Sequence, residues 1–325
     1  GRQALAAPAP AGTKKLLFNF LRGGNDGVNT VIPHGDSVYS PASRPNLYIS
    51  PSNAIDLGNG FASLHPRMQS MMPIFTNGDL AIVHRVGYAN QSRSHFDSQD
   101  FWEKGVPNNP DVKDGVFCRQ LREMLDLADP ANTFAAASIN SSAFKALQGA
   151  TPFPNFTNSA DFNFLGTPEQ QAKFLGQLPG QAGDGTGMLG LYGDSPLAKA
   201  LYGDLVHNTG GALGGTLNTL AEASGDYTPA NGAIYPDSGF GERLQECAKL
   251  FKRTEVRVLG VDTGGFDNHS NQGAINGTHG GLLQKIADGF LALSLDLQDQ
   301  WNDVVVVTMT EFGRTSLENG SMGTD

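Results

Sequence analysis

Four short stretches of this chain hold residues that can do chemistry together. They are Arg22-Gly23-Gly24-Asn25-Asp26, Ser92-Arg93-Ser94-His95, the run from Asp262 through Asp267 to His269, and Glu311-Phe312-Gly313-Arg314. Carboxylates mixed with imidazole suit zinc, manganese or a related divalent ion. A serine at a helix N-terminus beside such an ion is a candidate nucleophile, because the metal lowers the hydroxyl's pKa and the helix end favours an oxyanion. Each stretch also has a plain alternative. The first is an ordinary Gly-Asn-Asp turn, Ser94 is an N-cap, Glu311 pairs with Arg314, and Asp267-Asn268-His269 is a polar loop. Taken singly, those alternatives are the better readings. Taken jointly, four strand ends carrying such groups favour a site.

The elements that must position these groups are strands alternating with helices. Leu16, Leu17, Phe18, Phe20 and Leu21 read as a strand buried on both faces, broken by the glycines that follow. Further strands are expected over residues 80–86, 134–139, 256–261 and 304–309, with the last the most apolar. Helices are expected near residues 64–75, 97–104, 115–127, 241–251 and 280–301. The pattern implies an α/β fold with a mainly parallel sheet covered by helices on both faces. In such sheets, ligands bind outside the carboxyl ends of the strands. The strands near Leu16, Leu80, Val256 and Val304 should be neighbours in that sheet.

Residues 151–231 differ in character, being rich in Gly, Pro, Asn and Ser, with weak helices near 169–178, 196–207 and 213–223. They read as a loop-rich cap insertion outside the sheet, within a single domain over residues 14–325. Residues 1–13 read as a flexible linker, and Ala4-Leu5-Ala6 fits the small-x-small cleavage site of an export signal. A periplasmic or secreted location is the expectation.

The 325 residues carry a net charge of −10, which argues against nucleic acid because nothing neutralises phosphates. No apolar stretch reaches the ~18 residues of a membrane span. Cys118 and Cys247 are the only cysteines, and both are expected to be free and buried. His84 reads as a packed core histidine, while His34, His65, His207 and His279 gain no support as ligands. The sequence leaves the oligomeric state open.

The motifs Phe20-Leu21-Arg22-Gly23-Gly24-Asn25-Asp26-Gly27, Ser92-Arg93-Ser94-His95-Phe96, Gly265-Phe266-Asp267-Asn268-His269 and Glu311-Phe312-Gly313-Arg314 with Gly323-Thr324-Asp325 resemble the bacterial family called domain of unknown function 1501. That family is typically exported and is similar to the alkaline phosphatase and sulfatase superfamily. The resemblance implies that Asp26 binds metal and that Ser94 is the nucleophile, with Ser92 as the alternative beside His95. It implies that Asp267 and His269 share one metal, joined by Glu311 and Asp325. The chain departs from the family pattern in two ways. The family continues Gly-Thr-Asp-His-Gly where this sequence reaches Asp325, so the resemblance implies a further histidine ligand and a terminal stretch of the fold beyond it, and Glu311-Phe312 stands where the superfamily has an Asp-His pair.

The expectation is an exported hydrolase of small-molecule or polymer phosphate or sulfate esters. It would depend on a divalent metal, zinc first, with manganese, calcium or no metal as alternatives. Arg22 or Arg93 would neutralise the substrate's oxyanion. The alternative is a non-catalytic exported protein that keeps the fold for binding or surface assembly.

Overall fold

The computed structural model describes residues 12–127, 129, 132–175 and 203–325. Among these residues five strands form one parallel sheet in the order β6-β5-β7-β1-β8. They are β1 (Lys15–Leu21), β5 (Ala136–Ile139), β6 (Asn155–Phe156), β7 (Val258–Thr263) and β8 (Val304–Thr310). Three two-residue strands, β2 (Val31–Ile32), β3 (Ile55–Asp56) and β4 (Ser63–Leu64), make a small separate antiparallel sheet. The helices are α1 (Gly27–Thr30), α2 (Met72–Thr76), α3 (His95–Lys104), α4 (Val116–Met124), α5 (Pro168–Leu175), α6 (Gly203–Glu222), α7 (Gly239–Arg253) and α8 (Thr278–Asp296).

Strand β1 is central, paired in parallel with β7 on one side and β8 on the other. Its alternation explains both layers. Leu17 and Leu21 join the main core with Leu244, Phe251, Leu283 and Leu293 of α7 and α8. Phe18 and Phe20 point the other way and pack with Phe144, Trp102 of α3 and Phe117 of α4. Successive side chains of a strand face opposite sides, so apolar residues at nearly every position demand helices on both faces.

Three expectations need correction. Residues 80–86 form no strand, and Val83 and Val86 are 76% and 59% exposed. Arg85 adopts φ +58°, which breaks an extended run, so only Leu80 and Ile82 lean on the core. His84 is accordingly exposed rather than packed. Strand β8, despite its apolar sequence, is a sheet edge and leaves Val305 half exposed. Residues 151–231 do not all lie outside the sheet, because Asn155 and Phe156 pair with β5 as its other edge strand.

Within that region α6 is one helix where two weak ones were expected, and Leu220 near its end is buried in the main core. Residues 1–11 of the expected linker and residues 196–202 of an expected helix lie outside the described residues. Cys118 and Cys247 are both free and buried, and burial pushes both thiols above their ordinary pKa.

Candidate active site

The strand order places β7, β1 and β8 side by side, so the loops leaving their carboxyl ends meet. Gly23 makes the closest approach possible. It has φ +115°, and a Cβ there would lie 2.5 Å from the backbone nitrogen of Asp267. Gly323 does the same for the last loop, where a Cβ would lie 2.4 Å from the carbonyl carbon of His269. Only glycine allows either contact.

Glu311 follows β8 and is fully buried. Its Oε1 accepts from Gly23 N at 2.8 Å, His95 Nδ1 at 2.8 Å and Gln99 Nε2 at 2.9 Å, and Oε2 accepts from Thr310 Oγ1 at 3.0 Å. Burial alone would raise its pKa, but these donors win and hold the carboxyl below its ordinary value. His95 opens α3, and its other nitrogen, Nε2, stands 3.5 Å from Asp267 Oδ1. His269 Nε2 approaches that same oxygen at 2.8 Å, and His269 Nδ1 meets Asp325 Oδ1 at 3.1 Å. The result is a continuous series, Glu311–His95–Asp267–His269–Asp325. It runs from a sealed floor to an open mouth, with side-chain exposures of 0% at Glu311, 31% at His95 and 61% at Asp325.

Arg314 braces the series from beneath. Its guanidinium donates to the carbonyls of Gly24 at 2.8 Å, Gly23 at 2.5 Å and Thr324 at 2.9 Å, and it pairs with Asp267. Burial opposes ionisation of Asp267, but Arg314 outweighs it and holds that carboxyl below the usual range. The expected Glu311–Arg314 pair is therefore replaced by Asp267–Arg314.

Other expected residues are placed elsewhere. Asp26 is buried and caps α1, and its oxygens take Arg44 at 2.6 and 3.1 Å and Gln272 Nε2 at 2.7 Å. Burial would raise its pKa, yet the Arg44 charge keeps it lowered. Ser94 is the N-cap of α3, accepting from Asp97 N at 3.3 Å. Ser92 Oγ donates to Asp97 Oδ2 at 3.2 Å. Arg22 spends its donors on Asp262, Gln99 and Glu103 while stacking on Phe20 and Phe144. Arg93 is exposed.

Sequence reasoning missed Arg44, Gln99 and Gln272. Arg44 sits between loop prolines with no periodicity to mark it, and only its complete burial distinguishes it. His279 was set aside, yet it is wholly buried, with Nε2 3.0 Å from Asn25 Oδ1, and burial pulls its pKa down to about 4.

Among the described residues no three His, Cys, Asp or Glu side chains stand as a ready-made metal cage. The donor chemistry nonetheless fits one. A neutral imidazole carries a single N–H, and each ring here faces a carboxylate oxygen from both nitrogens. The cation already beside Asp267 is the Arg314 guanidinium, which pairs with that carboxylate and lies 3.4 Å from His269 Nε2. Carboxylates behind the Nδ1 atoms are the usual outer support of metal-binding histidines.

Residues 220–325 match the model of a family described as "Protein of unknown function (DUF1501)". That span includes Asp267, His269, Glu311 and Asp325, whereas Asp26, Ser94 and His95 precede it. No curated protein matches the chain. No solved structure matches it either.

Proposed function

We propose that this chain is an exported, metal-dependent hydrolase of phosphate or sulfate esters with a serine nucleophile. One observation carries the reading: His95 Nε2 and His269 Nε2 converge on one oxygen of Asp267, while Glu311 and Asp325 hold the opposite ring nitrogens. Two imidazoles and a carboxylate suit zinc first and manganese second. Calcium, which takes oxygen ligands, fits this set poorly. The ligands would be His95, His269 and Asp267, with Glu311 and Asp325 orienting the rings. Asp26, fully engaged by Arg44, would support the loops instead.

A bound ion would supply Lewis acidity to the ester oxygen and ease ionisation of a nearby hydroxyl. Ser94, one residue before His95, is the proposed nucleophile. Its Oγ already accepts an N–H of the helix end, and that contact favours the alkoxide. Arg22 commits Nε and Nη1 to neighbours and is three-quarters buried, so exposed Arg93 is the better partner for the substrate's oxyanion. Export rests on Ala4-Leu5-Ala6, and the ester class rests on the motif resemblance to alkaline phosphatases and sulfatases.

A second reading has its own observation. Arg314 already neutralises Asp267 and Arg44 already neutralises Asp26, as they would in a non-catalytic protein that keeps the fold for binding or surface assembly. Metal analysis of the purified protein, with assays on p-nitrophenyl phosphate and p-nitrophenyl sulfate, separates the two. Stoichiometric zinc or manganese with turnover supports the hydrolase. Absence of metal, and no turnover after zinc or manganese is added, leaves the second reading.

A further inference from the structure

We propose that Arg44 is a positioning residue of this site, fixing the loop that carries Asp325 and thereby the orientation of His269. The proposal rests on reading the two-histidine cluster as the working site. Arg44 is wholly buried, and none of its hydrogen-bond partners belongs to the cluster. Asp26 grips its guanidinium from one side in a two-pronged pair. From the other side Arg44 donates to the carbonyls of Thr315 at 2.7 Å and Ser316 at 2.8 Å.

Those two residues open a loop that closes on itself. Thr315 N donates to Asp325 O at 2.9 Å, and Asp325 N donates to Thr315 Oγ1 at 3.2 Å. Asn319 Nδ2 then holds Asp325 Oδ1 at 3.0 Å and the His269 carbonyl at 2.9 Å. A second arm leaves the same carboxylate. Gln272 donates to Asp26 Oδ2 and accepts from Thr324 Oγ1 at 2.9 Å, one residue before Asp325.

Both arms therefore run from the Asp26–Arg44 pair to the residue that holds His269 Nδ1. A planar guanidinium can reach one carboxylate and two carbonyls at once, whereas a lysine ammonium is a point charge that cannot span them. His95 Nδ1 is held by a different element, Glu311 at the end of β8, and its link to this loop is the longer 3.5 Å approach of Nε2 to Asp267. The two Nδ1 atoms thus have separate supports while both Nε2 atoms face Asp267 Oδ1, so a smaller response of His95 serves as the internal control for His269.

The test is NMR on the full chain with 15N-labelled histidine, at one fixed pH and without added metal or substrate. Asp325→Asn provides the reference change in the ring-nitrogen shifts of His269. Arg44→Lys is expected to move the His269 ring shifts in the same direction and to move those of His95 clearly less. Adding Arg44→Lys to Asp325→Asn should then move them little further. Unchanged His269 shifts in a folded Arg44→Lys protein overturn the proposal, as does an equal movement of both histidines. If Arg44→Lys does not fold, Asp26→Asn loosens the same guanidinium and is read identically. Because the readout needs neither metal nor ester, it can fail while the hydrolase reading stands, or the reverse.

Discussion

Glu311 and His95 lie 216 positions apart and meet through a 2.8 Å hydrogen bond from the imidazole Nδ1 to a fully buried carboxylate. The carboxylate receives three other donors, so its orientation is set before the imidazole arrives. A histidine held in this way presents Nε2 outward.

Replacing Glu311 with Gln keeps the shape but turns one acceptor into a donor facing N–H groups. Zinc affinity should fall about 10- to 100-fold. Unfolding free energy should fall by about 1–3 kcal/mol, because a buried donor loses its acceptor. Competition with a chromophoric chelator and urea denaturation measure the two effects. Unchanged zinc affinity would remove Glu311 from the site.

Ser94 offers a separation of roles. As a cap alone, Ser94→Ala should cost about 1 kcal/mol and leave activity intact. As nucleophile and cap, it should cost the same stability and also abolish turnover of whichever p-nitrophenyl ester is active. Ser92→Ala, assayed in parallel, should keep turnover.

The Asp26–Arg44 pair should be strongly coupled. Arg44→Met alone strands a buried carboxylate and should cost about 3–5 kcal/mol. Asp26→Leu with Arg44→Met removes both charges and should cost less than the two single changes added together. Equilibrium denaturation of the three variants gives the coupling, and simple additivity would refute it.

Stability should fall in acid, and the sign follows from burial. Folded His279 titrates at about 4, against 6.5 for the free side chain, and burial lowers His65 in the same direction. Between those values the unfolded chain takes up protons that folded His279 refuses, so stability is full above pH 6.5 and drains as pH falls toward 4. A few kcal/mol should be lost, since one pKa unit corresponds to about 1.4 kcal/mol. Below pH 4 protonation of Asp26, Asp267 and Glu311 adds to the loss, because all three are held below their ordinary values. Urea melts at pH 7, 5.5 and 4.5 should show the decline, and His279→Asn should flatten it in part.

Gly23→Ala should be destabilising by about 1–3 kcal/mol from backbone strain alone, with the clash against Asp267 added. Gly264→Ala, at a position with open space, is the control. Equal melting temperatures for the two variants would mean that the loops do not approach as described.

The apolar runs Leu16–Leu21, Val256–Val261 and Val304–Met309 were enough to assign three neighbouring parallel strands, because only a doubly covered sheet buries such runs. Their glycine and carboxylate endings then implied one edge with Asp267, His269 and Glu311 gathered on it. Local pattern also marked Ser94 as the start of a helix that Gly105 closes. What pattern could not decide was which groups pair. Residues 80–86 have the composition of a strand, but strand formation needs a partner edge, and none of the described strands pairs with them. Arg44 shows no periodicity, yet it is the cation that Asp26 meets, because a carboxylate buried without one is costly. Arg314 went to Asp267 rather than Glu311 for the same reason. Charges carry no sequence-local preference for partners separated by tens or hundreds of residues. Long-range geometry and the cost of burying them unpaired make that choice.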